Sequence, residues 1–179
     1  MTSLKRQRIL PVDPVAQAEQ AWIEHGWKEA AVGMAAVTSV MRVQQLLSAT
    51  ANKLLAPLGL TFPRYEVLIL LLMSETGALS LWEIGDQIQL HPASVTNLIH
   101  RLKRDRLLAL RPNPDDKRGT IAALTNTGRG RALLAARELN ENFFPRLGVE
   151  DTHLRSVVDV LAKLRQRDGD FNASSWADP

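Results

Sequence analysis

Three observations predict a mainly α chain with a small β-wing. Apolar residues recur at three- and four-residue steps through most of the 179 residues, the spacing of amphipathic helices. Two short helical patterns, the second one basic, follow each other closely between Leu81 and Arg104. Directly after them, two strand-like runs flank a charged loop, Pro112-Asn113-Pro114-Asp115-Asp116-Lys117-Arg118-Gly119. Helix, turn, helix and hairpin in that order describe a winged helix–turn–helix lobe, and the other helices form a second, helical region.

Asp13-Pro14 is a helix start, a capping carboxylate followed by proline at the first helical position. That helix runs through Trp22 and Ile23 and falters at Gly26. A longer helix is expected from about Met34 to Ala56, with Val37, Val40, Met41, Leu47, Ala51, Leu54 and Leu55 at helical steps; Pro57 and Gly59 end it. Phe62-Pro63 opens the next helix. Its run Val67 to Met73 is apolar on every side, which predicts burial on every side and a place at the centre of the molecule.

Ser80 and Glu83 have capping-box spacing, and the short helix they start turns Ile84 and Ile88 inward. After a turn at Gln89-Leu90-His91, Pro92 begins a helix whose apolar stripe is Val95, Leu98, Ile99 and Leu102. Leu107–Arg111 and Thr120–Leu124 read as a hairpin around the proline- and aspartate-bearing loop. A helix from about Thr127 to Phe144 ends at Pro145 and Gly148. The last helix carries Leu154, Val157, Val158, Leu161 and Leu164 on one face, and the patternless tail after it reads as mobile.

The formal net charge is only +3, but it is unevenly spread. From Asn97 to Arg118 seven Lys/Arg stand against three acids, a net +4 that exceeds the charge of the whole chain. Positive charge gathers where phosphate attraction would use it. Cysteine is absent, which removes disulfides, zinc-thiolate sites and thiol redox sensing together. No apolar run of signal-peptide type follows the basic start, and the longest apolar block, Val67–Met73, is too short to cross a bilayer. A soluble, cytoplasmic protein without a membrane partner is expected. The four histidines never approach metal-ligand spacing, no glycine loop cradles a phosphate, and nothing marks a nucleophile–histidine pair. The reading is therefore of a non-enzyme with no catalytic residues, metal or cofactor.

Away from the apolar stripe, the helix from Pro92 presents Ser94, Thr96, Asn97 and Arg101. Such side chains bond base edges: Asn97 suits adenine, Arg101 suits guanine or a phosphate, and the hydroxyls suit either. Taken alone, this helix reads more simply as an amphipathic helix with a solvated face; the capped helix before it and the basic hairpin after it reverse that preference in favour of DNA. At the hairpin tip Arg118 is the candidate for the minor groove, where the negative potential is deepest. Asp116 would orient its guanidinium by a charge-assisted bond, and Lys117 would face a phosphate. The plainer reading of that tip is a polar turn.

From Val37 to Arg165 the chain resembles the MarR family of bacterial transcription regulators. The resemblance lies in the Leu60-Thr61 entry to the central helix, the Leu90–Leu102 pattern, the wing Asp116-Lys117-Arg118, and the ending Leu124-Thr125 with Gly128-Arg129. It implies a homodimer whose first long helix and last two helices interlock, carrying two winged lobes across a near-palindromic operator. Half-sites would lie about 10 bp apart, each major groove taking one recognition helix. The expected division is residues 1–33 as an N-terminal helical extension, 34–60 as a dimerisation helix, 61–125 as the winged lobe, 126–168 as dimerisation helices and 169–179 as a tail.

The extension, which the family pattern lacks, holds Trp22 and Trp27. They either line a cavity for a small aromatic or phenolic effector or staple the extra helix in place. Trp22, Met41, Arg42 and Tyr65 are the expected lining of such a pocket, apolar with one cation. The function expected is that of a DNA-binding repressor released by a small molecule or other signal; the alternative is a winged-helix protein–protein adaptor that never touches DNA. Arg118→Ala is expected to weaken operator binding by roughly 1–3 kcal/mol with the dimer intact, read by gel-shift titration beside sedimentation.

Overall fold

The computed structural model describes residues 9–114, 116 and 119–172. Lys117 and Arg118, on which the wing reading rests, lie outside them. Among the described residues seven α-helices run α1 Pro14–Glu24, α2 Lys28–Leu55, α3 Phe62–Met73, α4 Leu81–Gln87, α5 Pro92–Arg104, α6 Asn126–Asn142 and α7 Asp151–Arg167. Three strands, β1 Ala78–Ser80, β2 Leu108–Pro112 and β3 Thr120–Leu124, form one antiparallel sheet in the order β1-β3-β2. The chain divides into two compact units, Met1–Leu139 and Asn140–Pro179.

Local chemistry explains most helix starts and stops. Asp13 caps α1 by accepting the Val15 N–H at 2.9 Å, with Pro14 behind it. Gly26 at φ +87° then turns the chain, its neighbours closing Trp27 N–H onto the Trp22 carbonyl at 2.9 Å. Helix α2 begins at Lys28, six residues before the sequence reading put it, so the expected division at residue 34 falls inside a continuous helix. Trp27 at its N-cap makes no side-chain capping bond, and without a cap no local signal marked the start. At the other end Asn52 Oδ1 accepts the Phe62 N–H at 2.7 Å and ties α2 to the entry of α3.

In the first unit α3 supplies the centre, with Val67, Leu68 and Leu71 fully covered. Its burial is not uniform, however: Met73 at the last turn is 75% exposed. Ile84 of α4, Val95, Ile99 and Leu102 of α5, and Leu107, Leu108 and Ala122 of the sheet complete the lobe's core, while Leu98 and Ile88 are only half-buried. Ala132, Ala135 and Leu139 are the buried stripe of α6. The second unit holds the end of α6, a 3₁₀ turn at Phe144–Arg146 and α7, which exposes Val157, Val158, Val160 and Leu164.

Helix α2 exposes Val32, Val37, Val40, Met41, Val43, Leu46 and Leu47. By length and composition Lys28–Leu58 is long and apolar enough to cross a membrane, which a search for unbroken apolar blocks does not register. Arg42 stands at its midpoint, though, where a charge in hydrocarbon costs about 2.5–3.5 kcal/mol or more. An apolar face interrupted in this way fits contact with protein better than with lipid.

Among the described glycines the closest backbone approach is at Gly128. A Cβ added there would sit 2.0 Å from the Leu107 carbonyl oxygen, a backbone atom that cannot swing aside. Gly128→Ala should therefore destabilise the fold by about 2–4 kcal/mol, at the upper end of single-substitution effects. Urea unfolding of the two proteins checks this; equal midpoints would contradict the close approach.

Candidate nucleic-acid interface

The helix–turn–helix is held at both ends of its recognition helix by turns that need no glycine. Ser80 and Glu83 form the full reciprocal box at the start of α4: Ser80 Oγ accepts the Glu83 N–H at 3.2 Å and Glu83 Oε2 accepts the Ser80 N–H at 2.7 Å. After α4 the chain reverses through Gln89 at φ +50°, and Leu90 N–H closes onto the Gly85 carbonyl at 3.2 Å. His91 then caps α5, its Nδ1 accepting the Ala93 N–H at 3.3 Å. At the far end Arg106 takes φ +59°, with Leu107 N–H on the Leu102 carbonyl at 3.0 Å and Arg106 N–H on Lys103 at 2.9 Å. These are the paired bonds of a Schellman stop, made by an arginine where glycine is usual. Backbone strain thus flanks α5 on both sides, a distribution common at working sites.

Residue Pro92 opens α5, and Ser94, Thr96, Asn97, His100 and Arg101 are all exposed, as the helical spacing predicted. Thr96 donates its hydroxyl proton back to the Pro92 carbonyl at 3.0 Å, which leaves its oxygen free to act as an acceptor. The last turn carries Arg101, Lys103 and Arg104, placing positive charge at the helix's negative pole. In the hairpin loop the Asn113 N–H bonds the Gly119 carbonyl at 3.0 Å, and the Gly119 N–H bonds the Asp116 carbonyl at 2.8 Å. Asp116 is exposed; the pairing expected between its carboxylate and Arg118 falls outside the described residues.

Two features escaped the sequence reading. Strand β1, three residues long, pairs Leu79 with Ala122 and anchors the hairpin to the start of α4; nothing so short carries a period of its own. Beside it, a cleft of about 620 Å³ lies between α4 and the wing root, lined by Trp82, Glu75, Thr76, Arg111 and Asn113 among others. Trp82 in it is 76% exposed.

The expected effector residues do not converge. Trp22 packs edge-on against Trp27, ring centroids 5.4 Å apart, and His25 lies 5.2 Å from Trp27, so this pair joins α1 to α2 at their corner. Met41 faces outward. Tyr65 is buried, 5.8 Å from the Phe62 ring. Burial first, and the neighbouring Glu66 second, push its phenol above the ordinary range, so it stays protonated. Of these four only Arg42 lines a groove, of about 490 Å³, whose other walls are residues 9–14, with the acid Asp13 among them, and Leu46.

The sequence profile of the MarR family matches residues 58–119, which contain the helix–turn–helix and most of the hairpin. A crystal structure of Sco5413, a MarR family transcriptional regulator from Streptomyces coelicolor, is 40% identical and superposes with a TM-score of 0.72, over 78% of this chain and 97% of that one. The chain belongs to the MarR family of transcriptional regulators. It is also 29% identical over 93 residues to the HTH-type transcriptional regulator MntR of Shouchella clausii, a match spanning 52% of this chain and 62% of that protein. A structure of the MarR C80S variant from E. coli complexed with operator DNA shares the fold, with a TM-score of 0.66 at 20% identity, over 71% and 91% of the two chains. As a MarR-family chain the protein has the winged architecture, with α1 ahead of the long helix α2.

The capping box that orients α4 carries a pH signature. Hydrogen bonds from the Ser80 hydroxyl and then the Ser80 backbone hold the Glu83 carboxyl below its ordinary value of 4.5. Its folded value being depressed, its contribution is complete above 4.5 and lost as pH falls through the lower folded value. Denaturant melts should find wild type more stable than Glu83→Gln at pH 7, with the gap closing on acidification below 4.5. A gap independent of pH would contradict the assignment.

Proposed function

We propose that the protein is a homodimeric repressor that binds a near-palindromic operator through α5 and the wing and is released by a small-molecule signal. The reading rests first on α5: an exposed row of short polar and basic side chains, stiffly held at both ends and followed by a hairpin. Pro92 presets the first turn; Ser94, Thr96, Asn97 and Arg101 are the base- and phosphate-reading set. Asp116, Lys117 and Arg118 are the wing counterpart on sequence grounds.

Dimerisation is supported by the apolar faces that α2 and α7 leave uncovered. A run of seven exposed large aliphatic side chains on one helix, from Val32 to Leu47, is more than a scatter of single exposed residues. Burying such a side chain is worth about 1.5–3 kcal/mol. We assign α2 from Lys28 with residues up to 60, together with 126–168, to this dimer region, 1–27 to an extension, 61–125 to the winged lobe and 169–179 to a tail. A DNA-binding regulator of this kind acts in the cytoplasm.

The effector we propose is an organic acid with an apolar, aromatic body. Its seat is the groove at Arg42, a cation with no hydrogen-bond or ion-pair partner among the described residues; Trp22, Met41 and Tyr65 do not line that groove. A ligand that favours the non-binding arrangement by about 3 kcal/mol shifts operator occupancy more than a hundredfold.

Fluorescence anisotropy with a labelled duplex tests the DNA reading. A dimer neutralising six or more phosphates should lose roughly three decades of affinity between 50 and 200 mM salt. Arg101→Ala should weaken binding by about 1–3 kcal/mol per half-site. Binding that ignores salt, or affinity unchanged in Arg101→Ala, would favour an adaptor that docks protein instead.

A further inference from the structure

Asp105 occupies an electrostatically awkward place. It is the C-cap of α5, beside the negative pole of the helix, where an acid is unfavourable without a partner. The partner is Arg64 of α3, 41 residues away in sequence, whose Nη2 bonds Asp105 Oδ2; the other carboxylate oxygen lies 3.6 Å from Arg104 Nε. With its second terminal nitrogen, Nη1, Arg64 donates to the Gly59 carbonyl at 2.7 Å. Gly59, at φ +68°, is the turn that ends the 3₁₀ extension of α2. The preceding carbonyl, Leu58, accepts from Arg131 of α6. One planar guanidinium therefore joins the end of α2 to the end of the recognition helix.

The join is not optimised for stability. The Arg64 side chain is only 14% exposed, yet its buried Nε has no hydrogen-bond partner among the described residues. A buried donor without a protein partner is uncommon enough to call for an explanation. Geometry supplies one: a guanidinium is a rigid fork, so two of its bonds cannot be moved independently. A shift of the Gly59 carbonyl must either rotate the fork away from Asp105 or carry Asp105 with it.

We propose that Arg64 is a positioning residue that sets the angle of α5 on DNA and passes movement of the α2 end to it. Anything that displaces the last turn of α2, whether a ligand or a second copy of the chain on its apolar face, then changes the presentation of Ser94, Asn97 and Arg101 without touching them. This rests on the DNA-binding reading above for its consequence, though not for its mechanics.

The test is a double-mutant cycle with Arg64→Gln, Arg64→Lys and Asp105→Asn, read on a duplex that the wild-type protein recovers from a random-sequence pool. Removing an acid near phosphates should, by charge alone, tighten DNA binding. The clasp predicts the opposite sign: Asp105→Asn weakens binding by about tenfold. Arg64→Gln weakens it similarly with the salt slope unchanged, whereas loss of a direct phosphate contact would lower that slope by about 1. The double variant should be no weaker than the worse single one. Arg64→Lys, which keeps the charge but not the fork, should not restore affinity.

Amide hydrogen exchange gives a readout independent of DNA. Asp105→Asn should speed exchange at Gly59 and Leu60, which Asp105 does not touch, and Arg64→Gln should speed it there and at Asp105–Leu107 together. Asp105→Asn binding as tightly as wild type, additive losses, or exchange confined to the α5 end would each overturn the proposal. If the wild-type protein recovers no duplex, the DNA reading fails, and the exchange result still decides the clasp.

Discussion

Recognition helix, wing and α6 meet on two backbone carbonyls, those of Arg106 and Leu107. The Thr125 hydroxyl donates to both, at 2.8 and 3.0 Å, and accepts the Gly128 N–H at 2.9 Å. Thr125 N–H reaches the Leu107 carbonyl as well, at 3.2 Å, while Leu107 N–H closes the last turn of α5. Three elements thus share the short turn that ends α5, and Gly128 is required because only a residue without Cβ lets α6 come so close. The leucine-threonine and glycine-arginine ending, a family signature in sequence terms, is physically a clamp. It fixes where α5 stops, where β2 begins and where α6 departs, and so the angle between helix and wing.

That stiffness contrasts with what α2 and α7 leave uncovered. The winged lobe closes its core with Leu68, Leu71, Ile84, Ile99 and Leu102 fully buried, whereas α2, the longest helix, turns a broad apolar face outward. A lobe with a closed core, and helices that keep apolar faces uncovered, fit the proposed separation of association from recognition. The Arg64 clasp lies where those tasks touch, between the end of α2 and the cap of α5.

Features carried by side chains acting on their own backbone were legible in the sequence. Asp13-Pro14, the Ser80–Glu83 box and Pro92 each specify a helix start within four residues, and all three stand where expected. The polar face of α5 followed from helical spacing alone. Features that depend on distant partners were not. Strand β1 exists because β3 is there to pair with it. Helix α2 begins at Lys28 without a capping side chain, so no local signal placed its start ahead of Met34. The left-handed turns at Gln89 and Arg106 were hidden because neither residue prefers that conformation; tertiary packing imposes it. Trp22, Met41, Arg42 and Tyr65 share a chemistry but not a groove, because side-chain type alone carries no information on which residues of α1, α2 and α3 meet. Arg64 and Asp105 went unremarked because nothing in either's neighbourhood in sequence points to the other.

Selection of bound fragments from random duplexes, with the mass of the recovered complex measured beside it, tests the central claim most directly. The account predicts a two-fold-symmetric motif with half-sites about 10 bp apart centre to centre, carried by two chains per duplex. An asymmetric motif held by a single chain, or no enrichment at low salt, would contradict it.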